Sequence, residues 1–242
     1  MGDLTGKTVL VVGGTSGFGL AAARLAGAKG ARLVLVGRDG ARAAEVAATL
    51  QASGLEALGH GLDARDGEAL NALLDTLGPI DHAISMLGGA MGGGFLSADP
   101  AQIRSTIEGK LFDNLALARV LTPRLQEGGS LTVTGGSGGR PDNASGAYIG
   151  NIGIAALVRG LAVELAPGIR VNAVAPTWTP TGLWRDVARS DVEATAAQFA
   201  GLIPLGRVAQ VEEVAMAYLF LMECTFITGQ TLTVDGGLTL IH

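Results

Sequence analysis

Val11-Val12-Gly13-Gly14-Thr15-Ser16-Gly17-Phe18-Gly19-Leu20 is the stretch on which the reading of the fold turns. An apolar run ends in glycines, and a helical pattern opens directly after them. Glycine permits the tight turn and lets backbone N–H groups approach a pyrophosphate. The helix N-terminus adds further donors and a favourable dipole. A glycine-rich turn alone is weak evidence; this one gains weight because it follows the first strand of an alternating pattern.

Outward from it, short apolar runs at 8–12, 33–36, 57–62, 80–86, 130–134, 170–174 and 231–234 read as strands buried on both faces. Helical stretches lie between them, at about 17–29, 40–53, 66–77, 99–126, 144–166 and 211–223. Strict alternation predicts an α/β fold: a doubly wound, parallel, seven-stranded Rossmann sheet flanked by helices. With no linker, repeat or low-complexity tract, residues 1–242 read as a single nucleotide-binding domain. The least regular part, about 177–209, is the expected substrate lid.

Composition narrows the function. Of 242 residues 48% are hydrophobic and 16% charged, an ordinary globular balance, and the 38 glycines sit mostly at the ends of apolar runs, where the backbone turns or meets a ligand. A formal charge of −5 with scattered Lys and Arg gives a nucleic-acid partner no electrostatic support. Cys224 is the only cysteine, so a disulfide frame within the chain is excluded, and it reads as a small core residue. His60, His82 and His242 share no metal-ligand spacing, so no metal site is expected. Residues 1–7 enter a strand with no signal-peptide core, and no apolar run reads as long enough to span a bilayer. These features predict a cytoplasmic protein without a membrane partner.

The end of the second strand carries cofactor choice. An NAD site places Asp or Glu there to bond the ribose hydroxyls. Gly37 stands at that position and Arg38 follows; a guanidinium suits a 2′-phosphate through paired, charge-assisted hydrogen bonds. The plainer alternative is that Arg38 only solvates a helix start, and Asp39 complicates the local charge. NADP(H) is the cofactor expected.

With these residues in hand, the chain resembles the short-chain dehydrogenase/reductase family over its full length. The glycine turn resembles the family signature, and Leu62-Asp63-Ala64 its adenine-contacting segment. The run from Gly160 to Ala166, then Ile169-Arg170-Val171-Asn172-Ala173-Val174-Ala175-Pro176, resembles its fifth helix and sixth strand. Phe226-Ile227-Thr228-Gly229-Gln230 and Val234-Asp235-Gly236-Gly237 match its C-terminus. The resemblance implies cofactor contacts from Gly13, Gly14, Thr15, Ser16, Gly17, Phe18, Gly19, Arg38, Asp63 and Ala64. It implies further ones from Leu87, Gly88 and Gly89 after the fourth strand. Pro176, Thr177, Thr179 and Thr181 match the residues that hold the nicotinamide carboxamide. Ser85-Met86-Leu87-Gly88 replaces the family's Asn-Asn-Ala-Gly, so the asparagine contacts that brace the sheet are expected to be gone.

The catalytic pattern departs from the family's. Its Ser, Tyr, Lys and Asn positions fall on Gly136, Ala147, Asn151 and Lys110, as though Lys and Asn had changed places. Divergent family members with that exchange exist, and the chain resembles them. Ile103, Ile107, Lys110, Asn114 and Leu121 share one helical stripe, so Lys110 and Asn114 interrupt an apolar face and need partners. The alternative is that Lys110 snorkels out from the stripe's edge. Tyr148 lies one residue past the family's Tyr position, turned about 100° around the helix, and Ser137 is a further polar candidate. Trp178 and Trp184 fall in the lid, lining a pocket or closing the core. Lys110, Asn151, Tyr148 and Ser137 are therefore the candidate catalytic residues of an NADPH-dependent reductase acting on a carbonyl-like or conjugated small molecule. The alternative is a family fold that has lost redox chemistry, either a non-redox catalyst or an NADP(H)-responsive binding protein. Apolar runs at 115–121, 152–161 and 232–241 predict a homo-oligomer, a tetramer before a dimer.

Overall fold

A computed structural model describes residues 3–241. Its elements alternate as β1 (Thr8–Val12), α1 (Gly17–Ala28), β2 (Arg32–Gly37), α2 (Gly40–Ala52), β3 (Ala57–Gly61), α3 (Gly67–Thr76) and β4 (Ile80–Ser85). There follow α4 (Pro100–Ile107), α5 (Asp113–Leu121), β5 (Leu125–Thr134), α6 (Ser145–Glu164), β6 (Arg170–Pro176), α7 (Arg189–Leu202), α8 (Val211–Glu223), β7 (Thr231–Val234) and α9 (Leu238–Ile241). The seven strands are all parallel, in the order β3-β2-β1-β4-β5-β6-β7. The expected doubly wound Rossmann sheet is the observed one.

The alternation of side chains along each strand divides the core between two faces. Val9 and Val11 pack with Leu33 and Leu35 against α1 and α8, while Leu10 and Val12 pack with Val34 and Val36 against α3, α5 and α6. Burying one such Val or Leu is worth roughly 1.5–3 kcal/mol, so the consecutive apolar strands hold both helical layers. The edge strands β3 and β7 are part-exposed, as is the start of β5 at Gln126, Glu127 and Gly128. The strand order reverses between β1 and β4, which opens a crevice beyond their carboxyl ends.

Three expectations need correction. The helix expected over 99–126 is broken: a π-helical turn, Glu108–Phe112, joins α4 to α5, and β5 has begun by Leu125. The irregular segment after β6 contains the 14-residue helix α7, none of whose residues is buried. And α6, 20 residues with mean hydropathy 1.4, is long and apolar enough to cross a membrane by length and composition. Its stripe of Ser145, Gly146, Ala147, Gly150, Ile154, Val158 and Ala162 is instead buried in the domain, with Ile154, Val158 and Ala162 in the core that backs the sheet. His242 lies outside the described residues.

Candidate functional site

One cleft of about 890 Å³ opens where β1 and β4 part. At its floor the turn after β1 is as close-packed as backbone allows. A Cβ on Gly19 would stand 2.4 Å from the Gly13 carbonyl oxygen, so α1 lies directly on the turn. Gly13, at φ +83°, takes a conformation other residues avoid. Ser16 caps α1 without a side-chain bond, which leaves the first N–H groups of the helix free for an anion. Gly13, Thr15, Ser16, Gly17, Phe18 and Gly19 all line the cleft. Gly14 does not: it is buried beneath the turn, where a Cβ would meet the Val11 carbonyl oxygen at 2.9 Å. Its part is packing, not contact, which corrects its assignment.

At the far end, a Cβ on Gly37 would come within 2.8 Å of the Thr15 methyl, so a side chain there would require Thr15 to turn, and no acid stands at that position. Arg38 lines the cleft, and so does Arg42, whose Nε donates to the Thr15 carbonyl at 3.4 Å. Neither has a carboxylate partner among the described residues. Asp39 accepts from the Arg42 backbone N–H as the N-cap of α2, which resolves its place as structural. Asp63 and Ala64 line the cleft beside them. The Asp63 carboxylate is held by Arg65 at a pKa of about 2, mainly through side-chain hydrogen bonds.

At the opposite end the cleft meets Leu87, Gly88, Gly89, Lys110, Ser137, Ala147, Asn151, Pro176, Thr177, Thr179 and Thr181. Lys110 sits in the π-helical turn, 6% exposed. Its stem lies across the backbone of α6, where a Cβ on Gly150 would be 2.8 Å from both Lys110 Cβ and Cδ. Its Nζ lies beside Gly88, 3.7 Å from where a Cβ there would stand. Burial pushes the amine down to about 8. The chain has three lysines; Lys7 pairs with Asp81 and Lys29 with Glu223, and Lys110 has no such partner among the described residues.

Three buried oxygens on the same wall, Ser137 Oγ, Asn151 Oδ1 and Thr177 Oγ1, have no hydrogen-bond partner among the described residues. Buried polar atoms without partners are costly and rare, and their convergence fits a ligand rich in hydroxyl and amide groups, as the ribose and carboxamide of a nicotinamide nucleotide are. Together with the anion-ready start of α1, the residues present fit a nicotinamide dinucleotide.

Tyr148 is not brought to this wall. It follows Ala147 on α6 and does not line the cleft; the one-residue offset turns it away. The sheet brace expected to be missing is present in another form: Asn114 accepts from Ser85 Oγ at 2.6 Å and donates to the carbonyls of Lys110 and Leu87. Trp178 stacks on Trp184 and on Phe199, each at 5.7 Å, as an aromatic wall of the same cleft. His60 and His82 do not line the cleft; His82 Nδ1 lies 2.8 Å from Ser130 Oγ. No metal-binding cluster occurs among the described residues.

The family model described as enoyl-(acyl carrier protein) reductase matches residues 12–239. Among curated proteins, the chain is 31% identical to 2,3-dihydroxy-2,3-dihydro-p-cumate dehydrogenase of Pseudomonas putida, over 98% of this chain and 96% of that protein. It is 34% identical to cis-4-hydroxycyclohexanecarboxylate dehydrogenase of Sinomonas cyclohexanicum, over the whole of both. Among solved structures, a short-chain type dehydrogenase/reductase from Mycobacterium marinum superposes with a TM-score of 0.87 at 26% identity, covering 98% of this chain and 97% of that one.

Proposed function

From the premise that the chain belongs to the short-chain dehydrogenase/reductase family, a family of nicotinamide-dependent oxidoreductases acting on small molecules, we propose that it is an NADP(H)-dependent reductase of an apolar carbonyl-like or conjugated compound. The observation that carries this reading is the pairing of Gly37, which stands where an NAD site has its acid, with the guanidinium of Arg38 on the same cleft, which makes no ion pair among the described residues. The nicotinamide supplies hydride chemistry when bound. The chain's residues orient it: the α1 N-terminus takes the pyrophosphate, Arg38 and Arg42 the 2′-phosphate. Thr177, Asn151 and Ser137 take polar groups at the nicotinamide end. Lys110 binds the nicotinamide ribose or polarises the substrate. The aromatic wall of Trp178, Trp184 and Phe199 favours an apolar substrate body.

Titration is expected to give tighter binding of NADPH than of NADH. Arg38→Ala should remove most of that preference, a loss of roughly 10-fold or more for one charge-assisted pair worth about 1.5–3 kcal/mol. Equal affinity of the unaltered chain for both cofactors would sink the assignment. A non-redox reading has one observation in its favour, the absence of a tyrosine from the cleft. NADPH consumption over a panel of carbonyl compounds separates the two.

Assembly follows from the surface. Phe112, Ile152, Val163, Leu240 and Ile241 are each more than half exposed, on the π-helical turn before α5, on α6 and on α9. Apolar groups on these elements are the expected interface of a cytoplasmic homo-oligomer, a tetramer before a dimer. Light scattering at micromolar concentration should return a multiple of the chain mass; a monomer would refute it.

A further inference from the structure

A reductase of this kind must hand its substrate a proton, and the side chains that could do so can be counted. The chain has two tyrosines. Tyr218 is fully buried on α8 with its hydroxyl 2.7 Å from Thr134 Oγ1, and burial pushes its pKa far up. Tyr148 stands on α6 outside the cleft. His60, His82 and Cys224 do not line it either. The carboxylates on the cleft, Asp39, Asp63 and Asp113, gather at the adenosine end: Asp39 caps α2, and Asp113 is under the charges of Arg65 and Asp63. Arginine does not release a proton in proteins. One titratable group is left at the nicotinamide end, and it is Lys110.

Its setting suits the task. The stem is fixed on Gly150 and the head is held beside Gly88, on the wall that carries the unpartnered Asn151 Oδ1. The elements packed on it, α6 and the loop after β4, bring no charged side chain to it at those contacts. On its own helical turn Glu108 is exposed, and Asp113 faces Arg65. No carboxylate therefore holds the ammonium in its charged form.

Resting on the reading of the chain as a nicotinamide-dependent reductase, we propose that Lys110 is itself the proton donor, its ammonium serving where the family's usual arrangement uses a tyrosine hydroxyl. The carbonyl carbon accepts a hydride from the reduced nicotinamide nucleotide, and the C=O π pair moves onto oxygen. That oxygen takes a proton from Nζ, so an N–H bond breaks and an O–H bond forms. The carbonyl is reduced to an alcohol, the nicotinamide is oxidised, and Lys110 is left a neutral amine that solvent reprotonates. Burial, which already lowers the amine towards neutrality, makes this transfer easier than from an ordinary lysine.

Two measurements test it. Competitive acetylation of the whole chain with trace acetic anhydride reads each lysine's titration, with Lys7 and Lys29 as internal references. Lys110 should titrate below both and be protected by NADPH. On a carbonyl compound that the chain turns over, reduction should fall as pH rises through the Lys110 transition. Lys110→Met, which keeps the stem on Gly150, and Lys110→Arg, which keeps the charge, should each lose on the order of 100-fold or more in turnover. Lys110→Arg should retain NADPH binding. A Lys110 that titrates with Lys7 and Lys29, or a Lys110→Met chain that reduces substrate as fast as the unaltered one, overturns the proposal and leaves the cofactor reading standing. A chain that binds no dinucleotide overturns that reading, and this one with it.

Discussion

Lys110→Ala is expected to lower turnover by about 10²- to 10⁴-fold, the span that a positioned acid or base contributes, and to weaken NADPH binding, while Tyr148→Phe leaves both near the unaltered level. The order follows from where the two side chains lie. Lys110 is buried on the cleft with its head beside Gly88; Tyr148 is on α6 but off the cleft. The fold should survive Lys110→Ala, because removing an unpaired buried amine also removes a desolvation penalty. Gly150→Val should reproduce much of the loss without touching the lysine. The new side chain would occupy the space held by Lys110 Cβ and Cδ, 2.8 Å from its first carbon, and lift the ammonium from its place. Steady-state kinetics with NADPH titration checks all three. An essential Tyr148 beside a dispensable Lys110 would discard this account.

The sheet and its glycine turn were legible because each rests on a local rule. A run such as Thr8–Val12, buried throughout, is apolar at every position, and β1, β7 and α8 fall where the pattern put them. Gly13, Gly17 and Gly19 announce a turn that only glycine can make. The burial of Lys110 and Asn114 was readable as two polar breaks in an apolar stripe, and both are buried. The π-helical turn that carries Lys110 was not readable. It inserts one residue without changing composition, and the periodicity of 99–126 continues across it.

Other features were hidden because they depend on what distant segments bring together. Asn114 replaces the missing asparagines of the loop after β4 only because β4 delivers Ser85 and Leu87 to it. Arg42 was overlooked beside Arg38, though its spacing of one helical turn from the strand end was a usable signal. The orphaned Ser137 Oγ, Asn151 Oδ1 and Thr177 Oγ1 come from three different segments, and no sequence window contains more than one of them. The aromatic wall needs Trp178 and Trp184 from the loop after β6 and Phe199 from a helix that the sequence pattern did not reveal.

Gly19→Ala is expected to damage both stability and cofactor binding, and Gly59→Ala stability alone. Both substitutions put a methyl group into backbone: 2.4 Å from the Gly13 carbonyl oxygen for Gly19, 2.0 Å from the Ala43 carbonyl oxygen for Gly59. Neither neighbour is a flexible side-chain end, so a helix must move off its strand, which costs about 1–3 kcal/mol or more. For a domain of this length that lowers the melting temperature by roughly 2–4 °C per kcal/mol. The difference lies in what moves. At Gly59 it is α2 against β3, and Gly59 does not line the cleft, so the folded fraction should bind NADPH as before. At Gly19 it is α1 against the turn proposed to receive the pyrophosphate, and N–H groups displaced by a few tenths of an ångström lose both distance and angle to an anion. NADPH affinity should therefore fall by at least about 10-fold, the equivalent of one net hydrogen bond of about 1.4 kcal/mol. Thermal melts read beside cofactor titrations decide it. If both variants bind NADPH equally well once folded, the close packing at Gly19 serves the fold and not the cofactor.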